Sequence, residues 1–155
     1  MKTEDRQALT GGCQCGAVRF CFSAEPARRS VCHCRMCQKA LGNVFARFAG
    51  GPLSQFAWTR GAPKIFRSSQ ACERGFCGKC GTPLTWRDTR EASIFVTIGS
   101  FDDPGRLAPT LNLGLQSKVV WVDSLGTLPA SSTKPDPARA SRQHPDREPP
   151  VSPLT

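Results

Sequence analysis

Seven of the nine cysteines fall into three tight clusters, and no other feature restricts the possible folds so strongly. "CQC" carries Cys13 and Cys15, "CHCRMC" carries Cys32, Cys34 and Cys37, and "FCGKCG" carries Cys77 and Cys80. These are metal-ligand spacings. Two residues between cysteines, with glycine within or just after, let both sulfurs face one ion while backbone N–H groups turn toward the thiolates. Disulfides within Cys13–Cys15 or Cys32–Cys34 would close small strained rings, and an odd cysteine total also argues against a disulfide scaffold. The stretch "MKTEDRQALTGG" has no apolar leader segment, and no run of residues reaches membrane-spanning length. A cytoplasmic protein without a membrane partner is expected, its clustered thiols serving as metal ligands.

A structural zinc is closed by four ligands, so "CGKCG" needs two more sulfurs, from "CQC" or from part of "CHCRMC"; spacing leaves both open. If "CQC" supplies them, Cys32, Cys34 and Cys37 remain as three ligands for a second Zn2+. Three protein ligands with a free fourth position is the pattern of a reactive zinc. The competing reading closes this site as well, with His33, Cys72 or Cys21 as fourth ligand, and makes it purely structural. His33 sits between two ligands, where simultaneous coordination is awkward, so an outer role or exposure suits it better. Cys21 lies on the strand face opposite Val18, Phe20 and Phe22 and reads as a free, partly buried thiol.

The apolar residues between 8 and 130 recur with period two in short runs. "AVRFCF", "VFARFA", "SIFVTIGSF" and "VVWV" are the candidate strands, separated by glycine and proline pairs. The one helical segment is "RMCQKALG", about two turns closed by Gly42. This predicts a mainly β chain with a small antiparallel sheet domain over residues 8–130. From 131 the segment "SSTKPDPARASRQHPDREPPVSPLT" has only Val151 and Leu154 as large aliphatics, which is too little burial to offset ordering entropy. Residues 131–155 are expected to form a disordered tail, with His144 solvated.

A formal charge of +9 invites a nucleic-acid reading. Seven metal-bound thiolates subtract seven charges and two divalent ions return four, leaving +6. The basic residues are also scattered, with only Arg28 and Arg29 adjacent, which disfavours nucleic acid and suits a small anionic ligand. Arg19, Arg35, Arg47 and Arg67 are the candidates for pairing with ligand carboxylates, although each reads equally well as a solvated charge. Trp58, Trp86 and Trp121 read as core or rim aromatics, and Asp102 and Asp103 as turn residues before "PG".

Taken in order, "GGCQCGAVRF", "CHCRMCQKALG", "FRSS", "RGFCGKCGTPLTW", "IGSFDDP" and "KVVWV" resemble the glutathione-dependent formaldehyde-activating enzyme family, which includes centromere protein V. The resemblance runs over about residues 11–123. It implies a zinc-stabilised, mostly antiparallel β structure of the β-tent type. It further implies a structural zinc on Cys13, Cys15, Cys77 and Cys80, and a catalytic zinc on Cys32, Cys34 and Cys37. The activity implied is carbon–sulfur lyase chemistry: addition of glutathione, or a related small thiol, to formaldehyde or another small aldehyde. The alternative is a non-catalytic zinc-stabilised module that binds glutathione or a protein partner. Two departures stand out: Asn112 in "PTLNLG", where many members carry histidine, and the additional Cys72.

Overall fold

The computed structural model of the protein describes residues 8–145. Residues 1–7, read above for a leader, and residues 146–155, the end of the expected tail, lie outside the described residues. Ten short strands and one α-helix follow in the order β1 (Leu9–Gly12), β2 (Arg19–Phe22), β3 (Arg28–Cys32), α1 (Arg35–Leu41), β4 (Ala46–Pro52), β5 (Phe56–Arg60), β6 (Lys64–Arg67), β7 (Cys72–Phe76), β8 (Pro83–Asp88), β9 (Ser93–Thr97) and β10 (Leu111–Leu113). They form a three-stranded sheet, β1-β2-β5, and a seven-stranded sheet, β10-β3-β4-β9-β8-β7-β6. The fold is mainly β, as the period-two pattern predicts.

That pattern also explains how the sheets pack. Phe20 and Phe22 on β2 are wholly buried, and they meet Phe56, Trp58 and Phe101 in a network with ring centroids 4.8–6.3 Å apart. Burying each is worth roughly 1.5–3 kcal/mol. A one-residue slip against β1 would turn both rings outward, so these two residues set the register. Alternation along the large sheet then divides its faces. Ala49, Ile94 and Val96 join Phe20 and Phe22 in the main core between the sheets, and Cys13 and Cys77 belong to the same cluster. Ala46, Phe48 and Phe95 point the other way and pack with Cys32, Cys34, Cys37 and Trp86.

Three expectations change. The large sheet is mixed, because β10 pairs with β3 in parallel, Leu111 beside Ser30 and Leu113 beside Cys32. The chain leaves β9 and crosses by residues 98–110 to the far edge, a connection long enough to re-enter in the same direction. "VVWV" is not a strand but the start of a 3-10 helical run, Val120–Thr127. β10 already occupies the free edge of β3, and a β-branched run without a partner edge has no ladder to join. Val119, Trp121 and Leu125 instead line a surface hollow beside the end of α1, and Trp121 stays half exposed. Residues 131–143 carry no strand and are exposed, and the segment has no large apolar residue to bury. His144 differs from its expected solvated state. Its backbone N–H donates to Gln14 O at 2.7 Å, and its Nε2 lies 3.4 Å from an Arg60 nitrogen.

Candidate functional site

Two sequence-distant loops bring four of the cysteines together. Cys13 and Cys15 come from the β1–β2 connection, and Cys77 and Cys80 from the β7–β8 turn, where Gly81 takes a left-handed φ of 80° that favours glycine. Their four Sγ atoms lie within 4.8 Å of one another. Cys13 and Cys15 are 3.6 Å apart and Cys15 and Cys77 are 3.8 Å apart. These contacts are far longer than a disulfide bond of about 2.05 Å. They match the S···S edge of about 3.8 Å that follows from a tetrahedral ion with metal–sulfur bonds of about 2.3 Å. Backbone N–H groups of Val18 and Lys79 donate to Cys13 and Cys77 at 3.3 and 3.4 Å. The donor set therefore fits a closed four-thiolate metal site.

The second group is built at one joint. Cys32 ends β3, Cys34 caps the N-terminus of α1, and Cys37 lies three residues on, so the helix sets two sulfurs on one face of its first turn. The Cys37 N–H donates to Cys34 Sγ at 3.4 Å, and Gly42 closes the helix with φ 58°, its N–H directed at Gln38 and Lys39 carbonyls. All three Sγ atoms lie within 4.8 Å of one another, and among the described residues no fourth Cys, His, Asp or Glu joins them. Burial pushes the Cys37 thiol up to about 12. Burial opposes the Cys34 thiolate too, but the Cys37 backbone N–H, the neighbouring thiols and Arg74 bring Cys34 below its ordinary value. Burial raises Cys32 as well, so all three sulfurs could ionise together only around a cation, and three soft donors suit a thiophilic one.

The group opens on a cleft of about 380 Å³, within the size range of small-molecule pockets. Trp86, Phe95, Leu111 and Leu113 give it apolar walls, and Arg28, Arg29 and Arg74 bring charge. Cys72 lines the same cleft but stays outside the three-sulfur group.

His33 and Asn112 face elsewhere. His33 is 2% exposed, its Nε2 lies 3.2 Å from Asn112 Oδ1, and its ring packs edge-on to Phe45. Asn112 is thus turned away from the cleft that Leu111 and Leu113 line, so the departure at this position touches the back of the strand and not the sulfurs. Cys21 stays apart from both groups on β2, opposite Ala57.

None of the four arginines singled out for ligand carboxylates reaches the cleft. Arg19 is buried and bonded through both terminal nitrogens to Asp102, at 2.9 and 2.5 Å, so Asp102 is an ion-pair partner and not merely a turn residue. Arg35 donates to Gln38, Arg47 lies over Phe45 at 5.8 Å, and Arg67 is 3.9 Å from Glu73. The cleft arginines were missed because β3 and β7 were not recognised as strands. On β7, period two would have put Cys72 and Arg74 on one face. Gly114 was also missed and has no local signal. It has φ 67°, and a Cβ there would come within 2.8 Å of the Cys34 backbone nitrogen.

A model of the glutathione-dependent formaldehyde-activating enzyme family matches residues 8–117. A Halomonas elongata protein bearing that family's name is 30% identical over 126 residues, covering 74% of this chain and 80% of its own length. A Rhodobacter sphaeroides protein of known crystal structure aligns with a TM-score of 0.53 at 21% identity, over 66% of this chain and 98% of that one, a likeness of fold.

Proposed function

The chain belongs to the glutathione-dependent formaldehyde-activating enzyme family, and from that premise we propose that it is a zinc enzyme adding glutathione, or a related thiol, to formaldehyde or another small aldehyde. The observation that carries this reading is the inequality of the two cysteine groups. One has four sulfurs, and the other has three at the floor of a cleft. In this reading Cys13, Cys15, Cys77 and Cys80 hold a structural ion, and Cys32, Cys34 and Cys37 hold the ion that serves the reaction.

Zinc bound there would keep an incoming thiol ionised near neutral pH, where a free thiol of pKa about 8.5 is mostly protonated. Cys32, Cys34 and Cys37 supply three negative charges against two, so the site is a poor generator of hydroxide and a better host for a soft sulfur. Trp86, Phe95, Leu111 and Leu113 give the aldehyde an apolar wall next to that sulfur. In the step itself the sulfur lone pair forms the S–C bond, and the carbonyl π pair moves to oxygen. That oxygen takes a proton from solvent, replacing the one the thiol released. The reverse step is the carbon–sulfur lyase reaction. Nine unpaired cysteines suit a reducing compartment such as the cytoplasm, and no helix among the described residues is long and apolar enough to cross a membrane.

The test is the exchange rate between formaldehyde and S-hydroxymethylglutathione by NMR, with zinc-loaded protein at catalytic concentration beside a folded Cys34→Ser variant. Acceleration by the native protein alone is expected. Equal rates in both samples and in buffer would overturn the enzymatic reading.

A further inference from the structure

Arg74 stands where two cavities meet. The cleft above the three sulfurs shares Met36, Phe48 and Arg74 with a second hollow of about 400 Å³ that continues past Lys39 and Phe66. Arg74 is 8% exposed. A guanidinium so buried is normally matched by an anion, or by acceptors for most of its five donors. Here Nη2 donates to Cys37 Sγ at 3.5 Å, while Nε is buried with no acceptor. The other two cleft arginines are committed. Arg29 pairs with Glu25 at 2.7 Å, and Arg28 lies over Phe95 at 4.6 Å and within 3.7 Å of Glu91. Arg74 has no carboxylate partner among the described residues. The Nε of Arg29 is likewise buried without an acceptor, but Arg29 and Arg28 each have a carboxylate; Arg74 is the cleft arginine without one, and it lines both the sulfur cleft and the neighbouring hollow.

Resting on the thiol-addition reading, we propose that Arg74 anchors a carboxylate of the thiol substrate. Its fork would reach the sulfur group through Nη2 and a ligand carboxylate through its remaining N–H groups. The substrate class that follows is a thiol with a carboxylate several bonds from sulfur, its far end lying in the second hollow. A peptide thiol satisfies this and 2-mercaptoethanol does not.

Calorimetric titration of the zinc-loaded protein with glutathione and with its dimethyl ester tests the proposal without any turnover. The wild type is expected to bind glutathione at least about tenfold more tightly than the ester, the size of effect a charge-assisted contact gives. That ratio should collapse toward one in Arg74→Gln and fall in Arg74→Lys, which keeps the charge beside Cys37, with metal content unchanged in at least the lysine variant. Equal wild-type affinities for acid and ester, or a ratio unmoved by both substitutions, would overturn it. So would loss of metal from both variants, which would make Arg74 a support of the cysteine group alone. Absence of binding by either thiol in the wild type would instead remove the thiol-addition reading itself, and the anchor with it.

Discussion

Arg19 is a buried charge tied to a single carboxylate. It is 4% exposed, and its two terminal nitrogens grip one carboxylate, Asp102, from the turn after β9. Removing one partner of such a pair strands the other in a poorly solvated place, at a cost of about 3 kcal/mol or more. Asp102→Ala is therefore expected to lower the unfolding free energy by that amount while leaving thiol affinity of the folded fraction unchanged, as read by urea titration beside calorimetry. Buried His33 and exposed Asn112 make a second pair. Asn112→Ala takes away the one acceptor facing a buried ring nitrogen and should destabilise by about 1–3 kcal/mol. Its effect on the bound metal should be nil, because Asn112 lies behind the strand; metal analysis showing loss of an ion would contradict that placement.

At the scale of elements, the joint between β3 and α1 decides the shape of the three-sulfur group. β10 lies against β3 and runs directly into Gly114, whose missing side chain lets the backbone close over Cys34. A methyl group there meets backbone, which does not yield as a flexible side chain would, and the left-handed φ adds about 1–2 kcal/mol. Gly114→Ala should displace Cys34 from its neighbours. The expected result is one metal equivalent per chain fewer than wild type, with the far-UV spectrum preserved, since the main core is built elsewhere. Full metal content in the variant would show that this joint is more pliant than its contacts indicate.

For the whole molecule, the large sheet separates two tasks. Its inner face and the small sheet enclose the main core, in which Cys13 and Cys77 are embedded. Its outer face carries Cys32, Cys34 and Cys37 beside the cleft. Metal removal should follow that division. A chelator is expected to take one equivalent quickly from the open three-sulfur group without change in secondary structure. The second should leave slowly and together with unfolding, because its ligands tie the β1–β2 and β7–β8 loops across the core. A single release phase for both ions, monitored by absorbance of a chelating dye beside circular dichroism, would argue against it.

Much of this was legible in the residues. Period-two runs mark β2, β4 and β9, "RMCQKALG" is the helix with Gly42 at its end, and spacing alone picks out the seven cysteines that the structure gathers into groups of four and three, each able to hold a metal ion. Each of these depends on neighbours a few positions apart, where backbone period and side-chain chemistry suffice. Which cysteines share an ion was left open by spacing, and the pairing of "CQC" with "CGKCG" was implied only by resemblance. It is the packing of the sheets that brings those two loops to one point. The arginines divide in the same way: any could be a solvated charge in sequence, but Glu25, Glu91 and Asp102 engage Arg29, Arg28 and Arg19 and leave Arg74 at the cleft. The strand expected at "VVWV" fails for a related reason. A strand is completed by an edge that the rest of the chain must leave free, so residues that specify local conformation cannot by themselves specify partners brought from sixty or more positions away.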